Sequence, residues 1–350
     1  MTSSTPQASF NPPPTTNTDP LPAGVTRKAV TYPNFNGLMT AANLYLPPNF
    51  EEMGSYPALV IGGPMGACKE QSGGLYAAKL AAGYVTLTWD PLFQGLSQGE
   101  PRHQEIPFFR VADFTYAIDY LEMLPYVAAD RLGALGICAS GGYVANAALT
   151  ERRIKAVGTV SGANLGRVLR EGNLTPSWAL TMLDKIAVDN TAIAQNGGQP
   201  RAQDIVPIVP PSVEAAKEQG MGDIDWVQAS AYYRQPPHMA AGSPNKLLLI
   251  STRSAYGWDA FHLADHLLTQ PLHIIVGGVP GLIGSYRDGF TLLDKAASKE
   301  RAITVMPGVT HVDLYWKEPC ISDAVKELAS FFNQHLSLGA SLVETVEKLF

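Results

Sequence analysis

The chain has little of what usually announces a function. Among its 350 residues there are only three cysteines, Cys68, Cys138 and Cys320. They are odd in number and widely spaced, which argues against a disulfide framework and against zinc-ligand spacing. The cysteine usage fits a reducing compartment, so a cytoplasmic location is expected. Charged residues are scarce, at 16%, and the net charge is -6, which excludes the basic footprint of a nucleic-acid binder. No apolar stretch is long enough to span a membrane. The glycine-rich loop at Gly62-Gly63-Pro64-Met65-Gly66 is not followed by the Lys-Ser/Thr pair of a phosphate-binding loop. No cluster of metal ligands is visible, and no metal or cofactor is expected. The first 24 residues lack the basic and apolar regions of a signal peptide. They are rich in Pro, Thr, Ser and Asn and read as a disordered tail. Asn173-Leu174-Thr175 is a glycosylation sequon that would matter only in a secreted chain.

What is present is an alternation of apolar runs and helical patterns. Hydrophobic residues make up 46% of the chain, and its length allows a large core. Val25 to Tyr32 and Leu38 to Leu46 alternate around Pro33-Asn34-Phe35-Asn36-Gly37, a hairpin signal. Buried strands are expected at Tyr56–Gly62, Tyr84–Trp89, Leu132–Ile137, Ile154–Val160, His273–Val276 and Ala302–Met306. Helices are expected at Gln71–Ala82, Phe109–Leu124, Gly141–Leu149, Phe261–Leu268, Gly289–Ala297 and Asp323–His335. The run Leu247–Ile250 fits either type. Strands alternating with helices imply an α/β fold with a mainly parallel sheet covered on both faces. The alternation lapses between about residues 165 and 245, where Trp178, Met182, Trp226, Tyr232 and Tyr233 are scattered among Pro, Gln and Ala. The expected organisation is a tail over 1–24, a core over 25–164 and 246–336, a cap over 165–245, and an amphipathic tail helix over 337–350. That last segment could pack on the body or on a second copy, which makes a homodimer a possible assembly.

The most informative stretch is Leu132-Gly133-Ala134-Leu135-Gly136-Ile137-Cys138-Ala139-Ser140-Gly141-Gly142. A short apolar strand runs through small residues straight into a helical pattern, the outline of a nucleophile elbow. Two registers fit: Cys138 flanked by Gly136 and Ser140, or Ser140 flanked by Cys138 and Gly142. The apolar run ends at Ile137, which puts Cys138 on the turn and Ser140 in the first helical turn. A buried structural cysteine is the competing reading.

The last expected core strand leads into Pro307-Gly308-Val309-Thr310-His311, which places a histidine where this architecture keeps its general base. An imidazole beside a cysteine favours the reactive thiolate. The acid is harder to place. The loop after His273–Val276 reads Gly277-Gly278-Val279-Pro280-Gly281, with no carboxylate. The next one downstream is Asp288, the preferred candidate, although Asp at a loop-helix junction is often a helix cap. Asp259 is a weaker alternative. An oxyanion hole needs two backbone N–H groups. Ala139, after the nucleophile, and Met65, after the prolyl nitrogen of Pro64, are the candidates.

The pattern resembles the α/β-hydrolase superfamily. Within it, the pattern is most similar to a dienelactone-hydrolase-like branch related to polyketide thiohydrolases and transferases. The resemblance is carried by GPMGACKEQ (63–71), TWDPLFQGLSQGEPR (88–102), LGICASGGY (135–143), DAFHLADHLLTQPL (259–272) and GVTHVDLY (308–315). It implies Cys138 as nucleophile, His311 as base, and Met65 and Ala139 as oxyanion donors. It departs at Gly63, where relatives often carry histidine, and at Val279, where an acid would be expected. Asp90 and Glu100-Pro101-Arg102 match as well and read as shaping the strand-end loops. The expected activity is hydrolysis of a small carboxylic ester or thioester through an acyl-cysteine. The alternatives are acyl transfer from the same intermediate, or a non-catalytic binding protein on the same scaffold.

Overall fold

In the computed structural model the described residues are 20–171 and 176–336. The sequon, the expected tail helix over 337–350 and most of the expected N-terminal tail lie outside them. Of that tail, residues 20–24 are described and lead into a turn in which the Val25 N–H meets the Pro22 carbonyl at 3.0 Å.

In chain order the elements are β1 (Thr26–Pro33), β2 (Met39–Leu46), β3 (Tyr56–Gly62), α1 (Ser72–Leu80), β4 (Val85–Trp89), α2 (Pro107–Glu122), β5 (Val127–Ile137), α3 (Ala139–Ala148) and β6 (Ile154–Val160). Next come α4 (Leu165–Glu171), α5 (Pro176–Gln195), β7 (Ile205–Pro207), α6 (Val213–Glu218), α7 (Ile224–Arg234) and β8 (Lys246–Leu248). The chain closes with α8 (Arg253–Tyr256), α9 (Ala264–Leu267), β9 (Leu272–Gly277), α10 (Ser285–Lys295), β10 (Arg301–Met306), α11 (Asp313–Trp316) and α12 (Cys320–Leu336).

Eight strands form one sheet in the order β1-β2-β4-β3-β5-β6-β9-β10. The expected hairpin is present: β1 and β2 pair antiparallel from Thr26↔Leu46 to Pro33↔Met39. From β4 to β10 the pairings are parallel. The strand residues Ala58–Ile61, Val85, Leu87, Leu132, Leu135 and Ile274–Val276 are fully buried, as a sheet covered on both faces requires. On α12 the buried positions Ile321, Ala324, Val325, Leu328, Ala329 and Phe332 recur every three or four residues, so one helical stripe faces the core.

The strand order reverses at β3. The chain passes from β3 to β4 on one side and then returns to β5 on the other. Such a reversal opens a crevice at the carboxyl ends of the two diverging strands. Gly62 of β3 lies in register with Gly136 of β5, so the loop after β3 and the elbow after β5 leave the sheet side by side.

Two expectations need correction. A helix over Phe261–Leu268 shrinks to the single turn α9, because Leu263 adopts a left-handed conformation (φ 63°) and interrupts it. The ambiguous run Leu247–Ile250 is split: β8 pairs with β7 in a separate two-stranded ribbon, and a 3-10 turn follows over Leu249–Thr252.

Candidate active site

The sharp turn falls at Cys138. Its backbone sits at φ 56°, ψ -122°, a strained conformation between a strand and a helix. The turn is fixed by three backbone bonds: Cys138 N–H to the Val160 carbonyl at 3.0 Å, and Gly141 N–H and Ala163 N–H to the Cys138 carbonyl, each at 2.8 Å. The small flanking residues have a steric cause. A Cβ on Gly136 would come within 2.0 Å of the Ser140 carbonyl oxygen, and one on Gly141 within 2.4 Å of the Gly162 Cα. The other register is not the turn. Ser140 lies inside α3, and its hydroxyl donates to the Gly63 carbonyl at 2.5 Å, tying the elbow helix to the β3 loop.

His311 lies in the loop after β10 and is 2% exposed. That loop is clamped at several points. Gly278 and Val279 donate to the Met306 and Val309 carbonyls at 2.8 and 2.9 Å, and Thr310 Oγ1 donates to Gln228 Oε1 of α7 at 2.6 Å. The imidazole has two side-chain partners. Nδ1 meets Ser285 Oγ at 2.8 Å and Nε2 meets the Tyr315 hydroxyl at 2.9 Å.

The Cys138 sulfur is surrounded by these same groups. Burial disfavours its thiolate. The charge of His311, hydrogen bonds from the His311 and Tyr315 side chains, and the Ala139 N–H outweigh burial and hold the thiol below its ordinary value. The positive end of α3 starts at the next residue and acts in the same direction.

The carboxylates proposed from the sequence are engaged elsewhere. Asp288 does not meet His311. Its Oδ1 accepts from Arg167 Nε at 2.7 Å, and its Oδ2 accepts from Arg167 NH2 at 2.7 Å and from the Asn164 N–H at 2.8 Å. Asp288 lies three residues into α10, one turn beyond Ser285, and it is Ser285 that reaches the imidazole. Asp259 accepts from Asn164 Nδ2 at 2.6 Å and from the Phe261 N–H at 3.0 Å, within its own turn. Sequence reasoning missed Ser285 because it searched that loop for a carboxylate. It missed Tyr315 because the one-turn helix α11, which brings position 315 back onto position 311, leaves no clear periodic signal.

Met65 stands half-buried in the turn after β3, where Ala67 N–H bonds the Pro64 carbonyl at 3.1 Å and Gly66 takes φ 74°. Ser243 Oγ pins the Gly66 carbonyl at 2.5 Å. Next to this turn, Cys68, Glu70 and Asp90 bring three potential metal-donor atoms within 4.8 Å of one another. A cation is already supplied by the chain: the Lys69 ammonium lies 2.9 Å from Glu70 Oε1 and 2.9 Å from Asp90 Oδ2. Asp90 also accepts the backbone N–H groups of Lys69 and Leu96 at 2.8 Å each, so it organises both strand-end loops. Arg102 donates to the Gly95, Ser97 and Gly99 carbonyls and braces the same turn.

Of the aromatic residues in 165–245, Tyr232 and Tyr233 are buried, and Tyr232 packs edge-on against Tyr315 with ring centroids 5.4 Å apart. Trp178 is exposed, and Trp226 packs partly buried against the main core. A cavity of about 480 Å³ adjoins Tyr232. It is bordered by Leu75, Tyr232, His238, Met239, Tyr315 and Trp316.

No protein-family model matches the chain. It is 37% identical over 317 residues to the uncharacterized protein YcjY of Escherichia coli (strain K12), covering 88% of this chain and 98% of that one. It is 33% identical over 326 residues to the uncharacterized protein PA2218 of Pseudomonas aeruginosa, covering 91% and 83%. The crystal structure of PA2218 aligns with a TM-score of 0.78 over 91% of this chain and 97% of that one. That of the α/β hydrolase GrgF from Penicillium sp. sh18 aligns at 0.72 and 17% identity, over 89% and 100%. The chain belongs to one family with YcjY and PA2218, and it has the fold of the α/β-hydrolases. Two more distant relatives carry names of activities. The thiohydrolase aneE of Aspergillus aculeatus is 24% identical over 56% of this chain and 60% of its own length. The acyltransferase drtE of Aspergillus calidoustus is 34% identical over 30% and 34%. Among the described residues, no helix is long and apolar enough to cross a membrane.

Proposed function

We propose that the protein hydrolyses a small carboxylic ester or thioester through an acyl-cysteine. The observation that carries this reading is the strained backbone of Cys138 at the elbow, with its thiol held low beside His311. Cys138 attacks the carbonyl carbon as the thiolate. The carbonyl electrons pass to oxygen, and the N–H groups of Ala139 and Met65 receive the oxyanion. Collapse breaks the bond to the leaving group, which takes a proton from His311 Nε2. Water then gives a proton to His311 and its oxygen to the acyl carbon, and the carboxylic acid leaves with the sulfur restored as the thiolate. Ser285 holds Nδ1 in the place usually given to a carboxylate. The test is to incubate the full chain with p-nitrophenyl butyrate and with a short acyl thioester, reading turnover and the intact mass. A mass increase equal to the acyl group, absent in Cys138→Ala and present in Ser140→Ala, supports the reading. The reverse pattern overturns it.

A second reading is acyl transfer from the same acyl-cysteine, supported by the 34% identity to the acyltransferase drtE over 30% of this chain. Product analysis with water and alcohol or amine acceptors in competition separates the two readings.

A further inference from the structure

We infer that Tyr315 is a further catalytic residue: its hydroxyl donates to the Cys138 thiolate while it accepts the Nε2 proton of His311. The inference rests on Cys138 as the nucleophile, and it follows from counting hydrogen-bond donors around a site that lacks the expected carboxylate. Imidazolium has two N–H donors and no acceptor. Ser285 Oγ at 2.8 Å takes one, and the Tyr315 oxygen at 2.9 Å shares the other with the Cys138 sulfur. The phenol then has one proton left, its one hydrogen bond at normal distance being to His311 Nε2, and the neighbouring Cys138 charge is there to receive that proton's hydrogen bond. The charge-separated pair thus uses every donor in an unbroken chain from Ser285 through His311 and Tyr315 to the sulfur. The neutral pair uses it poorly, because a thiol is a weak donor.

The phenol is suited to remain a donor. Burial first, and then the neighbouring thiolate charge, push it well above its ordinary value. Its ring is fixed against Tyr232 and against the His311 ring, each at 5.4 Å between centroids. The titratable groups facing the sulfur are His311 and Tyr315 from the strand-end loop and α11, Tyr143 from α3, and Tyr233 from α7. The Tyr143 hydroxyl is committed to Glu105 Oε1 at 2.6 Å and the buried Tyr233 hydroxyl has no hydrogen-bond partner, whereas a hydrogen bond from Tyr315 helps to hold the Cys138 thiol low. In turnover Tyr315 neither gains nor loses a net proton. As the sulfur attacks and its charge moves to the carbonyl oxygen, the Nε2 proton of His311 passes to the leaving group, directly or by exchange through the phenol.

The experiment is alkylation of the full-length protein by iodoacetamide across pH, with Cys138 followed peptide by peptide by mass spectrometry. In Tyr315→Phe the midpoint of the pH profile should rise by about one unit, which is about tenfold slower alkylation below both midpoints. Replacing Tyr315 by 3-fluorotyrosine, which keeps the shape and strengthens the donor, should move the midpoint down. Fast alkylation in the parent protein with the same midpoint in Tyr315→Phe overturns the role of Tyr315 and leaves Cys138 as the nucleophile. If that variant fails to fold, an unmoved midpoint in the fluorotyrosine protein overturns it instead. Slow alkylation in the parent, reaching speed only near the ordinary thiol range, overturns both readings.

Discussion

Cys68 and Cys138 make a controlled comparison inside one molecule. Both are buried, and both stand on loops leaving the carboxyl ends of neighbouring parallel strands, β3 and β5. Their thiols are pushed in opposite directions. Burial raises the Cys68 thiol, and the carboxylates of Asp90 and Glu70 raise it further. Burial also works against the Cys138 thiolate, but His311, Tyr315 and the Ala139 N–H reverse the result. Desolvation alone makes a cysteine inert. The charge and donors aimed at the sulfur decide whether it becomes a nucleophile.

The sharpest way to break this comparison is to remove each sulfur in turn. Cys138→Ala should lower ester or thioester turnover by about 1,000-fold or more, the scale of losing a catalytic nucleophile. Cys68→Ala should change it by less than about threefold, because no step of the proposed reaction uses that thiol. Comparable losses in steady-state assays of the two variants would erase the contrast. The charges around Cys68 have a structural task. Asp90→Asn leaves the buried Lys69 without one of its partners, and breaking a buried pair costs about 3–5 kcal/mol. Urea unfolding should show that loss, and an unchanged midpoint would remove the structural assignment.

Smaller effects sharpen the picture at Cys138. His311→Ala should make Cys138 behave more like Cys68. An opposite charge at contact distance lowers a pKa by roughly one to three units. Without it the alkylation midpoint of Cys138 should move up, and the rate at neutral pH should fall by at least about tenfold. The sign is fixed by the depressed thiol: reactivity is present at pH values below the ordinary thiol range and retreats upward when the imidazolium is lost. A midpoint that stays low without His311 would assign the depression to the helix end and Tyr315 alone. The smallest expected effect separates Ser285 from Asp288. Ser285→Ala should reduce turnover by about tenfold, the scale of a single orienting hydrogen bond. Asp288→Asn should lower the melting temperature through its Arg167 pair and leave the alkylation profile of Cys138 unmoved. A moved profile in Asp288→Asn with unchanged melting would restore Asp288 as the acid.

The legibility of the chain follows the range of the interactions involved. β3 and β6 were readable to the residue, because a fully buried strand needs a continuous apolar run bounded by turns. The strand-turn-helix at Cys138 was readable because Gly136 and Gly141 answer steric demands within a few residues of the turn. The helix at Phe261–Leu268 was over-read because apolar spacing does not reveal that Leu263 leaves the helical region. The third partner of the site was misplaced for a different reason. The search for a carboxylate near the right loop found Asp288, but Arg167, 121 residues earlier in the chain, claims it.

The amino-acid sequence by itself determined the alternation of strands and helices, the elbow and the late histidine, because each rests on local sterics and on the burial of contiguous apolar residues. The tertiary structure alone decided what touches what. It gave His311 to Ser285 and Tyr315, Asp288 to Arg167, and Lys69 to Asp90. Those choices depend on short-range electrostatics between groups that only the closed sheet brings within hydrogen-bond distance. The same closure set the thiols of Cys68 and Cys138 on opposite sides of their ordinary value.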